Sequence, residues 1–390
     1  MFFAPITNAV TQRISNSKLH KPQSMAPAAA LAALLLSLSF IPRPAHAQTQ
    51  QPSSQFDNLA ARAAAARDQS NLSLAIDLYG QAEQLKPDWA EGWFYLGMLQ
   101  YAANSYPPAI DAFNHLLQLK PGAPPALALR GLCEFETAAY DDSLRDLSEA
   151  VTKGAANQPR NGLIIRYHLA QLLARSGDFQ GAVTQYQFLA TRPIEDPDLL
   201  LGLGLAGMRN TTLPKDIPLR DQVLYQAAGR AGFTFLSGLS QEADTLFNQL
   251  FARYPTTPNL HFFYGTLLFT HFPELAVPQF QAEVALSPSN PEAHAILAFT
   301  FMLVGRYAEA LPEARTALAA APDTQMAQLA LGRSLAETGD EQHAAEVLNH
   351  VLSLYPDSIE AHMGLAAVYS HTGRREDAYR ERMACLGLEK

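Results

Sequence analysis

From about residue 56 onward, apolar side chains recur at intervals of three and four, the spacing of one helical face. In the stretch AEGWFYLGMLQYAANSYPPAIDAFNHLLQLKP (residues 90–121), Trp93, Leu96, Gly97 and Gln100 share one face of a first predicted helix. Ala109, Phe113 and Leu116 form a matching face on a second. A glycine inside a helix costs about 1 kcal/mol against alanine, so Gly97 marks a place where a neighbouring helix closes in. Pro121 cannot continue a helix and ends the second one, as do Pro87, Pro255, Pro288, Pro322 and Pro356. Short Gly-x-aromatic turns join the two helices, as at Gly177-Asp178-Phe179 and Gly305-Arg306-Tyr307.

This two-helix pattern repeats with a step of 34 residues. Gly97 recurs as Gly131, and Ala298, Gly332 and Ala366 keep the same interval. So do Ala75, Ala109 and Ser143, then Ala310, Ala344 and Ala378 in the second helices. The prolines at 288, 322 and 356 follow suit. A fixed period of 34 with two helices per unit, carrying Trp93, Leu96, Gly97, Ala109, Phe113 and Pro121, resembles the tetratricopeptide repeat. The resemblance departs at one slot, where Gln100 stands in place of Tyr and Tyr101 follows. It covers nearly all of the chain after residue 55, in nine units: 56–89, 90–123, 124–157, 163–196, 224–257, 258–290, 291–324, 325–358 and 359–390. The third unit is degenerate, with Ser143 and Ala155 in the Ala and Pro slots, and the sixth is one residue short.

The resemblance implies an all-α, right-handed α-solenoid in which stacked units bury faces that no single unit buries alone. It also implies a concave groove, lined by the other face of each first helix, that holds a peptide or helix of a protein partner. On that face lie Phe94, Met98, Tyr101, Phe135, Tyr167, Phe262, Phe269, Phe299 and Met302, with Arg333 among the polar positions beside Gln171 and Thr266. Tyr225, Phe235 and Met363 hold corresponding positions. Aromatic and methionine side chains suit an apolar, adaptable ligand. The final helix, with Arg374, Arg375, Glu376, Asp377, Arg380, Glu381 and Arg382, reads as a polar end cap.

The phase breaks once, between 197 and 223. DPDLLLGLGLAGMRN reads as an extra helix, apolar almost all round and therefore buried, followed by a loop with two prolines. It divides an N-terminal block of four repeats (56–196) from a C-terminal block of five (224–390). Inside it, Gly202-Leu203-Gly204-Leu205-Ala206-Gly207 matches the glycine pattern of dinucleotide sites, but that chemistry needs a preceding strand and a βαβ unit, and both flanks read as helical.

Chemistry-bearing motifs are otherwise missing: there is no G-x-S-x-G, H-E-x-x-H, P-loop or CxxC. The expectation is no enzyme activity, no cofactor and no metal. His261, His294 and His362 occupy the Trp slot of their units, a regularity that points to packing with locally bonded ring nitrogens rather than to metal ligation; His343 and His350 lack a completing ligand. Asn71-Leu72-Ser73 and Asn210-Thr211-Thr212 are glycosylation sequons. Cys133 and Cys385 are far apart in sequence and are expected to remain free.

With 37 acidic against 28 basic side chains the net charge is −9, which disfavours a general nucleic-acid partner. The first 47 residues hold Arg13, Lys18, Lys21 and Arg43 and no acidic side chain. An apolar run, Ala26–Ile41, is followed by Ala45-His46-Ala47, the pattern of an export signal cleaved before Gln48. Residues 48–55 then form a linker. The resulting expectation is a periplasmic or secreted scaffold that binds a protein or peptide, with no membrane span after signal removal and with homo-oligomerisation left open. A second reading is an envelope- or polysaccharide-associated accessory subunit of a secretion or assembly complex.

Overall fold

The computed structural model describes residues 54–157, 161–191 and 196–388. The expected signal segment 1–47, and most of the expected linker, lie outside them. The described residues contain 19 α-helices, two short 3₁₀ turns and no strand. In chain order the helices are α1 (Gln55–Asp68), α2 (Leu72–Leu85), α3 (Ala90–Ala102), α4 (Tyr106–Leu119), α5 (Pro124–Glu136), α6 (Tyr140–Thr152), α7 (Asn161–Ser176) and α8 (Phe179–Ala190). After these come α9 (Pro197–Gly207), α10 (Leu219–Leu236), α11 (Ser240–Arg253), α12 (Leu260–Phe269), α13 (Pro273–Leu286) and α14 (Pro291–Leu303). The last five are α15 (Tyr307–Ala320), α16 (Gln325–Glu337), α17 (Glu341–Leu354), α18 (Ile359–His371) and α19 (Arg375–Leu388). The chain divides into two compact parts, one ending at Leu189 and one beginning at Ala190. Within each, first and second helices pair, and each second helix packs on the next first helix, giving an all-α solenoid of helix pairs.

The first helices share one ending. Ser70, Asn104, Ala138, Gly177, Arg209, Gly238, Gly305, Gly339 and Gly373 all adopt a left-handed conformation. The next backbone N–H in each case donates to the carbonyl five residues back, as from Ser105 to Gln100 and from Asn210 to Leu205. This is the Schellman arrangement that closes a helix and reverses the chain. The unit that is one residue short lacks it: α12 ends with the Phe272 N–H on the Leu268 carbonyl, four residues back. The ending also identifies α9. It terminates as a first helix does, and its Leu201-Gly202-x-x-Leu205 reproduces the Leu-Gly spacing of the complete repeats. No second helix follows it; Leu201 and Leu205 instead pack on Ile217 and Tyr225.

Pair packing follows the small slots. A Cβ on Gly97 would stand 2.8 Å from the Phe113 ring, and one on Gly265 would stand 2.6 Å from the Phe280 ring. Ala75, Ala109, Ala310 and Ala344 are fully buried on the second helices. Six second helices, α2, α4, α11, α13, α15 and α17, stop just before a closing proline. The carbonyls of four of these prolines are held by the Trp slot of the next helix. Trp93 Nε1 donates to Pro87 at 2.8 Å and Gln328 Nε2 to Pro322 at 2.8 Å. His294 Nε2 and His362 Nε2 donate to Pro288 and Pro356, each at 3.0 Å. The histidine rings are thus packed and bonded locally. Their Nδ1 atoms meet Glu313 at 2.5 Å and Glu381 at 2.6 Å, both on the second helix of the same pair.

α19 carries its charges, but Tyr379, Met383 and Leu386 stand exposed among them. Cys133 and Cys385 are buried free thiols, and burial pushes the Cys133 thiol well up.

Candidate functional site: the first-helix stripe

The candidate ligand face runs over neighbouring first helices of the second part. α12 begins at Asn259, whose left-handed backbone leaves it without a side-chain cap of its own. The buried Glu283 of α13 supplies the cap, accepting from Asn259 N at 2.8 Å and Phe262 N at 3.2 Å. A carboxylate there complements the positive end of the helix and fixes where Phe262 stands. Further along, Phe269 meets Phe299 of α14, ring centroids 6.1 Å apart. Phe299 packs in turn against clusters that include Leu329 and Ala330 of α16. Phe269 and Phe299 are half-buried. Leu303 of α14 and Met363 of α18 are about half exposed, 49% and 52%. Arg333 of α16 is also half-buried, its Nε 3.5 Å from Glu337 Oε1 and without a hydrogen-bond partner. Three expected groove residues, Phe269, Phe299 and Arg333, therefore present surface in this part.

Five others do not, and the reading of them as open surface is corrected. Met98, Tyr101, Phe135, Phe262 and Met302 are buried. Tyr101 lies edge-on to Tyr106 at 5.8 Å. Phe135 is pinned edge-on to Tyr140 at 5.6 Å and to His168 of the next first helix at 4.6 Å. Burial also lowers the affinity of His168 for a proton. Met302 sits in a core cluster with Ala298, Ala314 and Ala330, whose small side chains let the helices close over it. Phe262 is covered by a segment far away in sequence: the Arg209 guanidinium lies over its ring at 4.8 Å. In the first part, only Phe94 and Tyr167 of the expected set remain half-buried.

Sequence reasoning missed Arg209 and its partner Glu292 at the start of α14, which form an ion pair. It also missed the tightness of α9. A Cβ on Gly204 would stand 1.8 Å from the Tyr225 carbonyl oxygen, so the α9–α10 crossing requires glycine there. The glycine pattern at 202–207 therefore lies inside a helix and serves packing. A cavity of about 320 Å³ opens beside this crossing, lined by Pro197, Leu200, Gln226, Ala227 and Arg230.

The remaining chemistry is structural. Burial raises the carboxyl group of Glu83 to about 8, and neither of its oxygens has a hydrogen-bond partner. Glu134 is raised to about 7 by burial and by Asp146, against the pull of Arg130. Arg130 itself holds Asp146 through Nε at 2.5 Å and Nη2 at 3.0 Å. Among the described residues, no three His, Cys, Asp or Glu side chains gather as a metal site. Of the sequons, Asn71 is exposed, whereas Asn210 donates to Tyr225 Oη at 2.9 Å and accepts from Thr212 N at 2.9 Å.

A family model described as "Tetratricopeptide repeat" matches residues 60–124 and 300–359. No curated protein matches the chain. Among solved structures, the crystal structure of MamA is 19% identical over 41% of this chain and 94% of its own, with a TM-score of 0.36. The P58(IPK) TPR domain is 13% identical over 85% of this chain and 92% of its own, TM-score 0.29. The APC/C hetero-tetramer Cut9-Hcn1 contains a chain 15% identical over 86% of this one and 79% of its own, TM-score 0.33. The two matched stretches coincide with repeated helix pairs of the fold, α1–α4 and α14–α17.

Proposed function

We propose that this chain is an exported, non-catalytic scaffold that holds an apolar peptide or helix of a protein partner along the first-helix stripe of its later repeats. Tetratricopeptide folds are protein-interaction scaffolds, and one observation favours this stripe over the rest of the surface. Phe269 and Phe299 touch each other while remaining half-open, Leu303 stands exposed on the same helix as Phe299, and Met363 stands exposed further along the stripe on α18. Such aromatic and flexible apolar groups act as anchors for an amphipathic segment. Export rests on the sequence pattern of residues 1–47. No helix among the described residues is long and apolar enough to cross a membrane.

The binding reading is tested by selecting helical peptides from a random display library on the full chain. Their affinities for the Phe269→Ala/Phe299→Ala variant are then measured. Selected peptides should bind the variant at least about tenfold more weakly, as loss of an anchor residue requires. Equal affinities would place the ligand face elsewhere. Export is tested by mass spectrometry of the protein from its native host: a mature chain starting at Gln48 is expected, and an intact N-terminus through residue 47 would refute it.

A further inference from the structure

The turn after α9 lies on the same stripe. The residue pair just past the end of that helix, Arg209-Asn210, reaches three successive first helices. Asn210 donates to Tyr225 Oη of α10 at 2.9 Å. Arg209 covers the Phe262 ring of α12 and is paired with Glu292 of α14, 83 residues further along the chain. Phe262 is a stripe position, equivalent by repeat spacing to the half-buried Phe94 and the exposed Met363. Phe262 is only 4% exposed, whereas Met363 on α18 is 52% exposed.

The helix proper is held by close backbone packing against α10, and the segment that follows is anchored at points, by Asn210 on Tyr225 and by the buried Leu213, Pro214 and Ile217. Thr211 and Thr212 are exposed, and the left-handed Arg209 is a non-glycine residue at the position where five other repeats use glycine. Glu292 is 53% exposed in its side chain, so water and salt reach the ion pair.

We propose that Arg209 is a clasp: the α9 turn folds over the stripe and hides Phe262, and opening of the Arg209–Glu292 pair uncovers that ring. The clasp closes the ligand face at α12 and leaves only the Phe269–Met363 portion open. Opening it lengthens the apolar face by one helix and frees the Glu292 carboxylate for a partner. The clasp itself is independent of any ligand; its regulatory consequence rests on the stripe being the binding face.

The test uses the full chain without a partner, as wild type, Glu292→Gln and Arg209→Gln. Amide hydrogen exchange is followed by mass spectrometry, with the apolar dye anilinonaphthalene sulfonate as a probe of uncovered rings. Both variants should speed exchange over residues 208–217 by about fivefold, the factor that loss of one partly exposed ion pair brings, and should bind more dye. Exchange over α16 and α17 should stay unchanged. Raising sodium chloride to about 1 M should reproduce the effect in wild type and add little in the variants. Unchanged exchange over 208–217 in both variants overturns the clasp. Uniformly faster exchange through the whole second part also overturns it, because the pair would then be a general stabiliser. A failed peptide selection with a positive exchange result would sink the binding reading and leave the clasp standing.

Discussion

His294 and Pro288 are joined by a 3.0 Å hydrogen bond from the ring Nε2 to the prolyl carbonyl. The same link joins Trp93 to Pro87, Gln328 to Pro322 and His362 to Pro356. Three residue types are therefore interchangeable at this slot. In each, a side-chain N–H six residues on satisfies the carbonyl of a proline that ended the previous helix. That carbonyl belongs to the connection between repeats, so the bond ties one pair to the next.

The link predicts which substitutions His294 tolerates. Gln already fills this slot at 328, so His294→Gln should keep the Pro288 bond and shift stability by less than about 0.5 kcal/mol. His294→Leu removes the donor and strands both Pro288 and Glu313. It should cost about 1–2 kcal/mol in urea unfolding, as loss of a partly buried hydrogen bond does. Equal costs for the two variants would show that ring packing, not the donor, matters at the slot.

The second-helix alanine slot is closed on all sides. Ala310 and Ala344 are fully buried, so Ala310→Leu and Ala344→Leu should overpack their helix pairs and cost about 1–3 kcal/mol each. Ala61 is exposed on α1, and Ala61→Leu should leave the melting temperature nearly unchanged. Thermal melts of the three variants check this directly; equal shifts contradict the register.

Much of this was legible in the sequence because it depends on short-range periodicity. Gly97 against Phe113, the buried alanines and the histidines in the Trp slot all follow from the 34-residue step and the helical turn. The side of a first helix that faces its own second helix is set by that arithmetic. How closely the neighbouring first helix approaches is not. Tyr101, Phe135 and Met302 were lost from the expected groove for that reason: small residues such as Ala298 and Ala330 let adjacent helices close over them. Phe262 packs edge-on to Phe280 of its own pair and is also covered by Arg209, which lies 53 residues upstream and belongs to no complete repeat. One signal was available there. Leu201-Gly202-x-x-Leu205 has the first-helix spacing, and it marks α9 as a repeat helix without its second half.

Glu83 gives a pH dependence. Its carboxyl group is raised by burial to about 8 and accepts no hydrogen bond, so it is held neutral in the fold. In the unfolded chain it ionises near its ordinary value of 4.5. Between those two values unfolding releases a proton, so stability falls as pH rises through that window. Glu83→Gln keeps the shape and removes the proton. It should therefore change little near pH 4.5 and stabilise the chain progressively toward about pH 8, with no further gain above. Urea unfolding at a series of pH values, wild type against variant, reads the difference. A constant offset across the series would mean that the carboxyl group is ionised in the folded chain.

Phe269 and Phe299 separate a binding face from a core. Each is half-buried, and they lie 6.1 Å apart on neighbouring helices. A fully buried Phe→Ala change costs about 3–5 kcal/mol, and a half-open ring in contact with its neighbour loses proportionally less. Because the two rings touch, their costs should not add: the double variant should fall short of the sum of the singles by about 0.5–1 kcal/mol. Phe263, buried against Gly207 and Gly232, is the comparison, and Phe263→Ala should cost the full core amount without affecting a ligand on the stripe. The expected pattern is a small stability loss with a large loss of peptide affinity for Phe269→Ala/Phe299→Ala, and the reverse for Phe263→Ala. If the double variant instead unfolds as readily as Phe263→Ala, the two rings are core. The ligand face would then have to be sought around the exposed Leu303 and Met363.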